Sequence, residues 1–287
     1  MRLRHVALAQ NARRATRAQP VGALPGTLST RRRGRGIEVH DIRLWLDGDD
    51  VRHIDANATA RTGHLHVRTF HDDPESAVLL FADFRPSMLF GTKRTFKSVA
   101  AAEALALAGW SMIASGRRVG LFAVGPDATT FVPHRNGERG MAAVIGGLVD
   151  AHAKALESAK MEDDSLDACL EMAAQHLAPG GALIIASGLD APGPSFESFM
   201  TSWARRASLQ VIVVSDAFEH ERPRGWYPFA TGSGRPEWGR FDVKTPAAKD
   251  ERLMLLAKCG VSAVRLDVEH DPEIMIPELE ALDVAWT

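Results

Sequence analysis

The chain has 287 residues, of which 45% are hydrophobic and 24% are charged, and its formal net charge at pH 7 is -2. This composition is typical of a folded globular protein and excludes a disordered or collagen-like chain. Two cysteines, Cys169 and Cys259, are too few for a disulfide framework or a cysteine-rich zinc site. Because no run reaches the roughly 18 apolar residues of a membrane span or resembles a secretory signal, we expect a cytoplasmic protein.

Residues 1–36 are predicted to form a basic arm. They contain nine arginines and no acidic residue, which leaves 25 basic and 36 acidic residues, a net charge of -11, for the rest of the chain. Such an arm suits nucleic acid, an acidic membrane surface or the acidic remainder of its own chain. Nucleic-acid binding through the arm is therefore one alternative function, although no aromatic residue is interleaved for base stacking.

Residues 37–74 are predicted to form a small, antiparallel β-rich module. Ile42, Leu44 and Leu46 alternate with polar residues, which indicates a strand, and residues 64–70 indicate another.

This module concentrates charged side chains, namely Asp49, Asp50, Arg52, Asp55 and Arg61. In one interpretation they hold the module to neighbouring structure through ion pairs and hydrogen bonds. In the other they form a surface on which a partner protein docks. Isolated surface pairs contribute only about 0 to 1 kcal/mol each, so the first interpretation requires a partly buried network.

From residue 75 to residue 287, apolar strand-like runs alternate with helical stretches. The predicted strands are 77–82, 119–124, 182–186, 209–214 and 261–266. One predicted helix follows the first strand and ends near residue 115, and the other predicted helices are 141–156, 165–177, 196–207 and 249–258. This alternation implies an α/β fold with a mainly parallel sheet and helices on both faces. Between Asp216 and Ala247, proline, glycine and aromatic residues favour a long loop, either functional or covering an apolar patch.

The motifs of nucleophile elbows, phosphate-binding loops and zinc proteases are missing from the chain. The strongest chemical signal is Asp83 at the end of the first predicted parallel strand, followed by Ser87. This position is the crevice where open α/β sheets bind ligands, and carboxylate and hydroxyl oxygens suit Mg²⁺. An enzyme, either a hydrolase or a nucleotide-binding protein, using the crevice near Asp83 is a second alternative function.

Asp83, Arg85 and Ser87 resemble a damaged D-x-S-x-S metal-ion-dependent adhesion site of von Willebrand factor A-like domains. Further ordered motifs resemble the bacterial domain-of-unknown-function family 58 (DUF58), and they lie at 33–38, 48–55, 59–63, 90–92, 96–98 and 118–120. The resemblance implies a von Willebrand A-like (Rossmann-like), mainly parallel sheet in 75–287, preceded by the small β-rich module.

The same resemblance implies a non-enzymatic adaptor or assembly factor. Its implied partners are a MoxR-type AAA+ ATPase and other A-domain proteins. The implied metal ligands are Asp83 and Ser87, with Ser165 from a second loop. Where relatives carry an acid this chain has Gly188, and Asp190 follows two positions later.

Arg85 occupies the position of the central serine ligand, and a guanidinium has no lone pair to donate to a metal. Three interpretations follow. Mg²⁺ still binds through Asp83, Ser87 and Asp190; or Arg85 pairs with Asp83 and supplies the positive charge itself; or Asp83 caps the next helix while Arg85 points into solvent. We favour the ion pair, expect no other cofactor, and include Arg85 among the predicted partner-binding residues.

Overall fold

The computed structural model describes residues 39–45, 54–70, 77–178, 180–221, 225–230, 236–241 and 250–271. The basic arm, Asp49, Asp50 and Arg52 lie outside these ranges. The described residues divide into two compact units, with the boundary between Asp73 and Pro74.

The described strands are β1 (Val39–Leu44), β2 (His66–Phe70), β3 (Ala77–Asp83), β4 (Arg118–Val124), β5 (Thr129–Arg135), β6 (Ala182–Ser187), β7 (Ser208–Ser215), β8 (Gly225–Ala230), β9 (Pro236–Phe241) and β10 (Ser262–Asp267). The described helices are α1 (Ala56–Thr62), α2 (Lys97–Ala114), α3 (Gly137–Glu157), α4 (Leu166–Ala174), α5 (Phe196–Trp203), α6 (Ala217–Glu221) and α7 (Glu251–Lys258), with a 3-10 helix at Pro86–Met88.

The second unit is built on a six-stranded sheet in the order β10-β7-β6-β3-β4-β5. Neighbouring strands are parallel except β5, which is antiparallel to β4 at one edge. Alternate residues of β3 enter two separate cores: Leu80 packs with α2 and α3, whereas Phe81 packs with α4, α5 and α7. The predicted α/β class, a mainly parallel sheet with helices on both faces, is confirmed.

Two-sided burial explains why the central strands are apolar along their whole length. All seven residues of β3 are buried, as are all six of β6. Since helices cover both faces, neither face of these strands needs polar side chains. The strands run in register, with Phe81 of β3 opposite Ile185 of β6, so their carboxyl ends meet at one edge of the sheet.

The first unit pairs β1 with β2 in the antiparallel sense, as predicted for the β-rich module. It also contains α1, which the sequence analysis missed. Asp55 is its N-cap and accepts a 2.7 Å hydrogen bond from the backbone N–H of Ala58, and Gly63 ends the helix with a φ of 75°.

The prediction of a long loop between Asp216 and Ala247 is wrong where the structure describes this segment. It contains α6 and an antiparallel hairpin of β8 and β9, which forms a separate two-stranded sheet. Proline and glycine occur inside both strands, and these residues obscured the strand pattern. The edge strand β5 was missed for a similar reason, because it contains Pro133 and alternates exposed and half-buried residues.

Candidate functional site

The candidate site lies where the strand order reverses, at the carboxyl ends of β3 and β6. The chain passes from β3 to β4 on one side and later returns to β6 on the other side of β3. Open α/β sheets bind ligands at such a switch point. Asp83 ends β3 and Ser187 ends β6, and the Ser187 hydroxyl donates a 2.6 Å hydrogen bond to Asp83 Oδ2.

Asp83 and Arg85 form a buried, two-pronged ion pair at this point. Arg85 Nε donates to Asp83 Oδ1 at 2.9 Å, and Arg85 Nη2 donates to Oδ2 at 2.8 Å. The side chains are 0% and 1% exposed. The favoured ion pair is therefore present, and the interpretation that Arg85 points into solvent is wrong.

The Arg85 guanidinium also joins three loops of the crevice. Nη1 donates to the carbonyl oxygen of Asp164 at 2.5 Å, before α4, and Nη2 donates to that of Asp190 at 2.9 Å, after β6. Burial alone lowers the pKa of Arg85, but the hydrogen bonds and charge of Asp83 outweigh it, so the pKa is raised above its ordinary value. The loops are thus held by a permanent cation that belongs to the chain.

A second buried cation, Lys97, lies beside the first. Its Nζ is 3.0 Å from Asp190 Oδ2 and 2.8 Å from Glu219 Oε1, and its side chain is 3% exposed. Burial lowers the pKa of Lys97, but the charges of Asp190 and Glu219 dominate and raise it. A Cβ added at Gly188 would lie 2.8 Å from Lys97 Nζ, so this ammonium fills the space beside Gly188.

The ionic network continues through Glu219 to Arg252. Arg252 Nη1 is 3.1 Å from Glu219 Oε2 and donates to the Gly188 carbonyl oxygen at 3.0 Å, while Nη2 is 2.9 Å from Asp250 Oδ2. The predicted site residues did not include Lys97, Glu219, Asp250 or Arg252. Lys97 did lie in the quoted motif at 96–98, which was the one available signal.

The predicted metal ligands do not fit a divalent cation in this arrangement. Both oxygens of Asp83 accept hydrogen bonds from Arg85, and the Asp190 carboxylate contacts Lys97. The Ser165 hydroxyl donates to Asp167. The Ser87 hydroxyl is buried and has no hydrogen-bond partner among the described residues. Within the described ranges, no group of three or more His, Cys, Asp or Glu side chains gathers as metal ligands would.

Two of the predicted partner-binding residues are buried. Asp55 is 5% exposed and caps α1, and Arg85 is 1% exposed inside the crevice. These side chains hold local structure and expose little surface, and partner binding through them stays a prediction. Arg61 lies exposed in the last turn of α1. Asp49, Asp50 and Arg52 lie outside the described residues.

Mg²⁺ is expected to bind at this site only when Arg85 is replaced. Wild type is expected to show no stabilisation by MgCl₂, because Arg85 already occupies both oxygens of Asp83. Arg85→Ser frees these oxygens and restores a hydroxyl; a site with a Kd of about 1 mM would then add about 1.4 kcal/mol in about 10 mM MgCl₂. Thermal shift and titration calorimetry measure this, with Arg85→Met as the hydroxyl-free control. Equal stabilisation of wild type and Arg85→Ser would contradict the expectation.

Comparison with known proteins identifies the family. A family model described as "Protein of unknown function DUF58" matches residues 41–230, more than half of the chain. The chain belongs to the DUF58 family. The family resemblance found in the sequence is thereby confirmed.

Similar sequences include the uncharacterized proteins Rv1480 of Mycobacterium tuberculosis and Mb1516 of Mycobacterium bovis. Each is 38% identical over 106 residues, which are 37% of this DUF58 chain and 33% of the relative. The match thus spans about a third of the length of these curated relatives.

Two solved structures are similar to this DUF58 chain at low identity. The conserved hypothetical protein BatB from Bacteroides thetaiotaomicron has a TM-score of 0.48 and 15% identity, covering 74% of this chain and 99% of that one. An aerotolerance-related membrane protein from Bacteroides fragilis has a TM-score of 0.42 and 12% identity, covering 71% and 98%. Among the described residues of the present chain, no helix has the length and apolar character needed to span a bilayer.

Proposed function

We propose that this DUF58 chain is a non-enzymatic, cytoplasmic adaptor. In this proposal it binds a MoxR-type AAA+ ATPase and other A-domain proteins during the assembly or maturation of a protein complex. The class of partner is proposed from the family resemblance. The way in which the partner binds is proposed from the loops around the crevice.

One observation carries the proposal: a single buried guanidinium joins the loops that surround the crevice. Arg85 binds Asp83, the carbonyl of Asp164 and the carbonyl of Asp190. A bound Mg²⁺ would also join loops, but it would keep open positions for a partner's carboxylate. Because Arg85 replaces that cation, the loops keep one arrangement and a partner binds through other side chains.

The aromatic residues beside the crevice are suited to such binding. Phe90 and Phe96 are 42% and 39% exposed, and the backbone N–H of Lys97 donates to the Phe90 carbonyl oxygen at 2.7 Å, which closes the loop between them. Asp216 fixes this loop by accepting a 2.8 Å hydrogen bond from the backbone N–H of Thr92. Exposed aromatic side chains on a fixed loop are typical centres of protein interfaces.

Capture of the partner tests this proposal. The tagged chain, cross-linked in its native host, is expected to retain a MoxR-type AAA+ ATPase, measured by quantitative mass spectrometry. The Phe90→Ser/Phe96→Ser variant is expected to retain at least about tenfold less, since central aromatic residues dominate interface energies. Met172→Ser is the matched control, because Met172 is 42% exposed, as Phe90 is, and lies in the last turn of α4 rather than in a crevice loop. Absence of the ATPase from the wild-type sample, or equal capture by the double variant, would overturn the proposal.

A further inference from the structure

A groove of about 600 Å³ lies between helices α4 and α5, which pack on the same hydrophobic core. This volume is typical of small-molecule sites, which measure about 300–1,000 Å³. Glu171 and the C-cap residue Gln175 line the groove from α4, and Ser198, Ser202 and Trp203 line it from α5. None of these residues belongs to the ionic network of the crevice, so the groove is a separate candidate site.

The N-terminal ends of α4 and α5 are held together. Ser195, the N-cap of α5, donates a 2.8 Å hydrogen bond from its backbone N–H to Asp167 Oδ2 in the first turn of α4. Along the groove, the rings of Phe199 and Trp203 stack with their centroids 5.7 Å apart, and Phe199 is buried. Because contacts within the chain fix these side chains, a ligand does not have to order the groove as it binds.

The serine hydroxyls of the groove present hydrogen-bond acceptors. Ser198 Oγ donates to the Ser195 carbonyl oxygen at 2.8 Å, and Ser202 Oγ donates to the Phe199 carbonyl oxygen at 2.9 Å. A hydroxyl has one proton and two lone pairs, so these bonds use the protons and leave lone pairs for a ligand. The groove therefore favours a ligand that donates hydrogen bonds.

The charge of the groove indicates a cationic ligand. Glu171 is exposed, and it is the one charged side chain among the described residues that line the groove. Within the described ranges, no hydrogen bond or ion pair competes for its carboxylate. Glu171 lies in the last turn of α4 and Trp203 ends α5, and the carbonyl ends of helices favour cations. Arg205 and Arg206, which follow Trp203, lie outside the lining of the groove.

Trp203 adds an aromatic surface to this acceptor-lined groove. Its indole is half-buried, and the ring of a tryptophan attracts a cation placed over its face. We propose that the groove binds a small organic amine in its ammonium form. The ammonium donates to the Glu171 carboxylate and to the serine oxygens, and the apolar body of the amine packs against Trp203. This inference goes beyond the proposed adaptor function, because it assigns a ligand to residues outside the crevice.

A lysine side chain of a partner protein presents the same ammonium group. The free amine is favoured because one lysine side chain fills only part of a groove of about 600 Å³, whereas an amine with an aromatic body makes more contacts in it. Tighter binding of a lysine peptide is therefore an outcome that the experiment detects.

The probe is phenethylamine, titrated into the full chain at pH 7 and followed by isothermal titration calorimetry and ligand-observed NMR. Glu171→Gln is expected to bind the probe at least about fivefold more weakly, because a neutral amide of the same shape replaces the carboxylate. Trp203→Leu is expected to bind it about threefold more weakly. Glu197→Gln is the matched control and is expected to bind as wild type does, because Glu197 is a 56% exposed residue of α5 that pairs with Lys258 outside the groove.

Three further ligands make the inference falsifiable. 2-Phenylethanol and 3-phenylpropionate, which replace the ammonium by a hydroxyl and a carboxylate, are each expected to bind at least about fivefold more weakly than phenethylamine. Equal binding of either one would overturn the inference, as would tighter binding of a short lysine peptide. Because Glu171 is exposed, its variant keeps the test valid even if Trp203→Leu is unfolded by circular dichroism. Binding by Glu171→Gln within about twofold of wild type would also overturn the inference.

Discussion

Replacement of Arg85 by methionine is expected to lower the free energy of unfolding by about 3–5 kcal/mol, the effect of breaking a buried ion pair. Asp83 is fully buried, and two of its strongest hydrogen bonds come from the guanidinium. Without the guanidinium, the carboxylate is left in the interior with the Ser187 hydroxyl and the backbone N–H of residue 85 as its donors among the described residues. The loops at Asp164 and Asp190 also lose the donor that joins them. Urea denaturation followed by circular dichroism measures the loss.

Two further variants test whether the loss in Arg85→Met comes from breaking the buried ion pair or from removing any cation. Lys258→Met removes a cation from a pair with Glu197 whose side chains are 73% and 56% exposed, and it is expected to leave the free energy of unfolding nearly unchanged because solvent screens this pair. Asp83→Leu/Arg85→Met removes both charges and is expected to recover most of the loss, because no buried charge remains without its partner. A loss for Arg85→Met as small as that for Lys258→Met would contradict the structural role of the pair.

The elements predicted best from the sequence are those buried on both sides. The strand predicted at 77–82 is β3, Ala77–Asp83, and the strand predicted at 182–186 is β6, Ala182–Ser187. Their continuous apolar runs are a local signal. Edge strand β5 and the β8–β9 hairpin have no such run, because solvent meets at least part of their surfaces and proline is tolerated there.

Contacts in the site between residues close in sequence could be predicted, whereas contacts between distant residues could not. Asp83 and Arg85 are two residues apart, so their pairing was open to prediction from one short motif. Lys97 and Glu219 are 122 residues apart, and their contact depends on how β3, β6 and β7 are ordered in the sheet. The same dependence on tertiary structure explains why Arg252 was missed and why Asp190 was assigned to a metal instead of to Lys97.

Gly91→Ala is expected to lower the free energy of unfolding by about 3 kcal/mol, although it adds only one methyl group. A Cβ at Gly91 would overlap the carbonyl oxygen of Thr95 and lie 2.9 Å from Phe96 Cα, and both neighbours are backbone atoms that cannot rotate away. The loop must therefore shift, which pulls Thr92 from Asp216. A hydrogen bond to a charged group contributes about 1.5–3 kcal/mol, and backbone strain adds to its loss.

Gly146→Ala is the matched control for this glycine. Gly146 lies in α3 with nothing within 4 Å of an added Cβ, so the same methyl group is expected to stabilise the chain by about 0.5–1 kcal/mol through helix propensity. Urea denaturation of both variants, with Thr92→Val to measure the hydroxyl contribution alone, determines whether the two effects have opposite sign. A neutral Gly91→Ala would contradict the close approach of the loop. A strong loss would show that the glycine in the Phe90–Thr92 motif is required for space, since its backbone φ lies outside the left-handed region.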